Sequence, residues 1–191
     1  TSVGDGYYIN IDTSNVTPLS THSKTVTDLI EGSTYYFRIW TQDDALNWSP
    51  LSNGATCQAQ STILSVSINP SSYDFGMVST GTVNVSVSSI TVTNSGNVNQ
   101  RYLLKLTDPA GWTAVTTTPS IEEYRFSIIF TTSNPSASSF IAPDDVVETI
   151  NKTSSDTVFA KDDEGESAKG YNVPVGAERG IWFKFEAPSL T

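Results

Sequence analysis

A chain of 191 residues with Lys+Arg 10 against Asp+Glu 20, a net charge of −10 and a pI near 4.3 presents an acidic surface. Such a surface repels phosphate backbones and anionic lipid, which excludes nucleic acid as a partner and argues against membrane binding. The length suffices for one large or two small domains. No apolar run of about 18 residues is present to form a transmembrane helix. The lone Cys57 excludes a disulfide within the chain, which suits a secreted bacterial protein better than a small animal ectodomain. Plentiful Ser and Thr, with Val, Asn and Gly, favour strands and turns over helices.

Residues 7–12, YYINID, alternate with the period of a half-buried strand. A polar loop with Asn15, Pro18 and His22 follows. Leu29, Gly32 and Tyr35, each three apart, form a tight corner that delivers a strand with Tyr35, Phe37 and Ile39 on one face. TQDDALNWSP (41–50) is rich in turn residues, and SPLSNGATCQAQ reads as a last strand and exit. These segments resemble the second half of a fibronectin type III module. GYYINIDTS is similar to its third strand, LIEGSTYYFRI to its tyrosine corner, and TQDDALNWSPLSN to the ending common in bacterial copies. Glu31 stands where Pro is usual. The resemblance implies that the Tyr35 hydroxyl bonds a nearby backbone group. It also implies that the module's first two strands and core Trp are not in this sequence.

A second block begins near Ser61. SVSINP, YDFGMV, GTVNVSVSSITVTNSGN and RYLLKLTDP are strands separated by Pro, Gly and Asn turns. Val83, Val85 and Val87 alternate with polar residues, and Ile90 and Val92 resume on the opposite parity. The intervening Ser88–Ser89 predicts a bulge or a strand that changes sheets. YRFSIIF continues the pattern, and GIWFKFEAP closes it with Ile181, Phe183 and Phe185 inward and Lys184 and Glu186 outward. Between residues 141 and 170 Asp and Glu outnumber Lys and Arg eight to three. Short strands are expected there at Asp144–Ile150 and Thr157–Ala160. The block resembles an immunoglobulin-like sandwich of bacterial surface proteins, INPSSYDFGMVSTG…ITVTNSGN being similar to the Hydin-like type. VPVGAERGIWFKFEAPS resembles the penultimate part of repeats that run on into one more strand. The expected fold is thus all-β: a partial fibronectin type III-like module over 1–60, then an immunoglobulin-like β-sandwich over 61–191 with long acidic loops at about 131–170.

Residues with chemical potential are few. Asp162, Asp163, Glu164 and Glu166 cluster around Gly165 and are a candidate calcium site, although their spacing is not that of an EF-hand. Asp43, Asp44 and Asn47 form a weaker candidate. No other cofactor is expected. Glu122–Glu123 and Asp144–Asp145 are adjacent pairs whose members point to opposite faces of a strand, whereas glycoside hydrolysis needs two carboxyls converging across a cleft. His22 has no nucleophile motif to serve. A non-enzymatic role is therefore expected, with no catalytic residues. Trp40, Trp48, Trp112 and Tyr8 can stack on sugars where exposed, so carbohydrate is a candidate partner. Asn15, Asn84 and Asn151 open N-x-S/T sequons and are candidate glycan acceptors.

A sandwich lacking strands leaves an edge open to pairing. Three explanations compete: a longer chain of which this is part, with the start at Thr1 reflecting a trimmed product; a neighbouring subunit that supplies strands; or a half-module that packs on the second block. The second makes the chain a subunit of an extracellular bacterial surface assembly or filament. Its candidate inter-chain edges are Tyr7, Tyr8, Ile9, Asn10 and Ile11, or the flank of Gly180–Ala187. The alternative is a carbohydrate-binding or spacer module of a larger secreted enzyme or adhesin.

Overall fold

A computed structural model describes residues 20–189. Two compact units divide the chain, Thr1–Ser61 and Thr62–Thr191. Ten strands and one 3-10 turn occur among the described residues, with no α-helix, so the fold is all-β.

In the first unit β1 (Thr34–Phe37) and β2 (Ala55–Gln58) pair antiparallel, from Thr34↔Gln58 to Phe37↔Ala55. Tyr35 and Phe37 are half-buried on one face, while Thr34 and Tyr36 are exposed. Ile39 does not extend that face. Its N–H goes to Ser52 Oγ at 2.9 Å, and its side chain is exposed. A second short pairing, Gln42↔Trp48, closes over a turn in which Leu46 adopts φ +66°.

The second unit holds β3 (Val66–Asn69), β4 (Val83–Val85), β5 (Ile90–Asn94), β6 (Leu103–Leu104), β7 (Thr113–Ala114), β8 (Glu123–Phe130), β9 (Lys152–Thr153) and β10 (Glu178–Glu186), with the 3-10 turn Ala137–Ser139 between β8 and β9. Six of these form one sheet in the order β3-β5-β10-β8-β7, with β4 also on β10. β6 and β9 form a separate two-stranded sheet. The main core gathers Ile90, Val92, Tyr102, Ile128, Phe130, Val147, Phe159, Val173, Ile181 and Phe183. Asn94, fully buried, fastens this end by donating from Nδ2 to Val98 O and Val173 O and accepting the Gly96 N–H.

The parity change between Val85 and Ile90 has a specific cause. β4 and β5 lie in succession on the same flank of β10, Val85 opposite Lys184 and Ile90 opposite Ile181. More residues separate Val85 from Ile90 than separate Ile181 from Lys184, so the strand bulges at 87–89 and stays in its sheet. Its two segments serve different cores. Ile90 and Val92 face the main core, whereas Val85 joins Ile129, Phe140 and Trp182 on the other face.

That second cluster overturns the expectation that Lys184 and Glu186 point to water. Both are buried, and successive residues Ile181 to Lys184 are buried as well, so the central strand is covered on two sides. The cover comes from the chain after β8, which lays Phe140 against Ile129 and Trp182. Lys184 Nζ lies 5.5 Å from the centroid of the Phe140 ring.

The short strands expected at Asp144–Ile150 and Thr157–Ala160 do not form. A turn occupies 142–145 and only isolated bridges follow, Ser127↔Val146 and Phe130↔Ala160. The strand of this region is Lys152–Thr153, paired with Leu103–Leu104. Asp145 is the reason for the turn. Its N–H donates to Ile141 O at 2.8 Å and its Oδ2 accepts the Ile141 N–H at 2.7 Å, a side-chain closure that competes with strand pairing.

Candidate functional site

Leu29, Gly32 and Tyr35 come together around one turn. Ser33 N–H donates to Ile30 O at 3.2 Å, Gly32 takes φ +74° where a side chain is disfavoured, and the Tyr35 hydroxyl accepts the Ile30 N–H at 2.7 Å. Gly32 N–H donates to Ala59 O at 2.7 Å, tying the corner to the end of β2. Leu29 is half-buried, and Cys57, opposite Tyr35, is exposed. The arrangement holds a strand entry in place.

Asp43 and Asn47 also have a structural occupation. Asp43 Oδ1 accepts the N–H of Ala45 at 3.0 Å and of Asn47 at 2.8 Å, and Oδ2 accepts Asn47 Nδ2 at 3.0 Å. The Asn47 side-chain bond leads in holding the Asp43 carboxyl below its usual range. Beside this turn Trp40 and Trp48 lie with ring centroids 6.1 Å apart, and Trp48 is exposed.

The four acids around Gly165 separate to different partners. Asp163 pairs with Lys161 Nζ at 2.5 Å. Glu164 turns toward the start of the excursion, accepting Thr131 Oγ1–H through Oε1 and the Thr132 N–H through Oε2 at 2.9 Å. Glu166 accepts the Tyr171 hydroxyl at 3.1 Å, and Asp162 is exposed. No group of three His, Cys, Asp or Glu side chains arranged to hold a metal ion occurs among the described residues.

The acid pairs are divided in the same way. Glu123 Oε2 accepts both the N–H and the hydroxyl of Ser120, which hold its carboxyl below its usual range. Asp145 is 1% exposed and its Oδ1 has no hydrogen-bond partner among the described residues. Burial pushes its carboxyl up to about 7, against the pull of backbone N–H groups of Ile141 and Ala160 and with added repulsion from Asp144 and Asp162. An adjacent Asp–Asp pair carries no sequence signal that one member is buried. His22 is exposed, with Ser20 Oγ 2.7 Å from its Nε2.

Two glycan candidates fall within the described residues. Asn84 is half-buried in β4 and donates to Thr82 Oγ1 at 3.0 Å, while the Ser86 of its sequon is buried with Oγ accepting the Phe183 N–H at 3.0 Å. Asn151 is exposed just before β9. Asn15 lies outside the described residues.

The candidate edges resolve differently. Tyr7, Tyr8, Ile9, Asn10 and Ile11 lie outside the described residues. The flank of Gly180–Ala187 is not open: β10 pairs with β8 on one side and with β5 and β4 on the other, and Ala187 N–H continues the ladder to Thr82 O at 3.0 Å. Among the described residues the sheet instead ends at β3, which is bonded to β5 alone and has all four residues exposed. Its sequence signal was the absence of any charge in SVSIN. Compared with protein-family models, curated proteins and solved structures, the chain matches none.

Proposed function

We propose that this chain is a non-enzymatic extracellular structural protein, a subunit of a bacterial surface assembly or filament in which β-strands pair between chains. Its two units are read as a partial fibronectin type III-like module and an immunoglobulin-like β-sandwich. The observation that carries the reading is the outer strand β3, exposed along its length and, among the described residues, bonded on one side only. Such a strand offers a row of backbone donors and acceptors to another extended chain. The Tyr35 to Ile30 bond supports the fibronectin-like module. Support for a non-catalytic role comes from Glu123 and Asp145, whose carboxylates brace turns.

Sedimentation velocity from micromolar to millimolar concentration, with negative-stain electron microscopy, tests the reading. Concentration-dependent assembly is the expected result, and a monomer throughout would overturn it. A second reading, a carbohydrate-binding or spacer module of a larger secreted enzyme or adhesin, is favoured by the exposed Trp48 beside Trp40. A glycan array decides it: binding abolished by Trp48→Ala sustains it, and no binding removes the lectin form.

A further inference from the structure

We infer that β3 is the contact through which two copies of this chain join, paired antiparallel about Val66; this rests on the self-associating reading above.

The orientation of the edge follows from its register. Ser95 N–H donates to Ser65 O at 3.1 Å, and the ladder continues through Ser67↔Thr93 and Asn69↔Thr91. Direction alternates along an antiparallel strand, so Ser65, Ser67 and Asn69 spend their backbone groups on β5. Leu64, Val66 and Ile68 turn theirs to the open side. The same three side chains share one face and are 72%, 50% and 51% exposed. Val66 and Ile68 stand opposite Asn94 and Val92, and Val92 belongs to the main core. Among the described residues the apolar layer of the core therefore runs out to an edge that no other strand pairs with.

Charge and symmetry identify the occupant. From Ala45 through Tyr73 the sequence has no Asp, Glu, Lys, Arg or His, and Asp74 alone interrupts that stretch before Arg101. Two copies that each carry −10 repel one another over most of their surfaces, and this uncharged strand with its neighbour β5 is a place where they can approach. Free edges are ordinarily guarded by Lys or another charge, and β3 has no such guard. Its sequence is also self-complementary. With the two-fold axis at Val66, that residue meets its own copy, Leu64 meets Ile68, and about six backbone hydrogen bonds form from the outward groups. Pro70 ends the pairable run. A contact of this symmetry closes two chains into a dimer, so longer polymers need a second, different contact.

Cross-linking in the full chain tests the register, with Cys57→Ser as background so that the introduced thiol is the sole one. Val66→Cys places two thiols on directly opposed residues about 5.5 Å apart at Cα, inside disulfide range, whereas two copies of Ser67→Cys lie beyond the roughly 7 Å limit. Mild oxidation is expected to link Val66→Cys at least about tenfold more than Ser67→Cys. In parallel, Val66→Pro removes an outward donor that β5 does not use, and Ile68→Lys adds a charge at an exposed side chain. Each is expected to weaken the dimer at least about tenfold by sedimentation, with an unchanged circular dichroism spectrum. Should Val66→Pro fail to fold, Ile68→Lys decides. Association that persists in the variants, with equal cross-linking at 66 and 67, overturns β3 as the contact and leaves self-association standing. A wild-type chain that stays monomeric overturns both.

Discussion

Arg125 and Glu186 face each other across β8 and β10 as a bidentate ion pair, Nε to Oε1 at 2.8 Å and Nη2 to Oε2 at 2.6 Å. Lys184 Nζ approaches the same carboxylate at 3.1 Å, and the side chains of Glu186 and Lys184 are each 10% exposed. The pair thus lies on a covered sheet face, where an unpartnered charge is expensive. Arg125→Ala leaves Glu186 paired with Lys184 and is expected to cost about 1.5–3 kcal/mol in urea unfolding. Glu186→Leu should cost more than Arg125→Ala, because it leaves Arg125 and Lys184 both without their carboxylate. Burial raises the Glu186 carboxyl, but the bonds from Arg125 and Lys184 outweigh it and hold the group below its usual range. Its contribution is therefore present at neutral pH and is lost as pH falls through that lowered value.

Asp145 gives the opposite pH dependence. Its folded-state carboxyl titrates at about 7 against an ordinary 3.8, so the folded protein holds a proton that the unfolded chain has released. The contribution is complete below the ordinary value and is lost as pH rises from about 4 to about 7, by up to ~4 kcal/mol. Asp145→Asn keeps an acceptor for the Ile141 N–H and cannot ionise. Its thermal midpoint should therefore fall less than the wild type's between pH 5 and pH 8. Parallel curves would show that Asp145 does not titrate in this window.

Tyr35→Phe deletes the acceptor of the Ile30 N–H and leaves the ring. Hydrogen exchange at the Ile30 amide should become roughly fivefold faster, the equivalent of about 1 kcal/mol. Amides of β10 serve as the internal reference and should be unchanged.

Gly170→Ala tests how tightly the main core closes. A Cβ at this position would run into the ring of Phe130, which is fully buried and stacked on Tyr102 at 5.7 Å. The backbone cannot retreat easily, since Gly170 O accepts the Tyr102 N–H at 3.0 Å and Ser154 Oγ–H at 2.5 Å. A loss of about 1–3 kcal/mol is expected in thermal unfolding, whereas Gly165→Ala, which meets open space, should cost far less.

Local chemistry made much of the fold legible. The Tyr35–Phe37 alternation, the Gly32 corner and the Ile181–Phe183 pattern are short-range signals, and strands form at the first and last with a turn at Gly32. The break at Ser88–Ser89 was visible too, because a change of parity marks a change of core. What alternation cannot report is whether the polar face of a strand meets water. Lys184 reads as solvent-facing until Phe140, more than forty residues upstream, lies against it, and Glu186 until Arg125 and Lys184 converge on it. Asp145 looked like half of an acidic pair for the same reason, since its burial depends on what packs over residues 141–146.

By itself the sequence determined an all-β chain, an acidic surface and an uncharged middle, because β-branched periodicity, turn residues and net charge are properties of neighbours along the chain. The tertiary structure decided where each strand lies in its sheet. β10 reads as a terminal strand yet sits at the centre of its sheet, and β3, a few polar and aliphatic residues, ends on the outside. Strand order depends on pairings between distant segments, Val66 with Asn94 and Ile181 with both Ile90 and Phe130, and no local pattern encodes them.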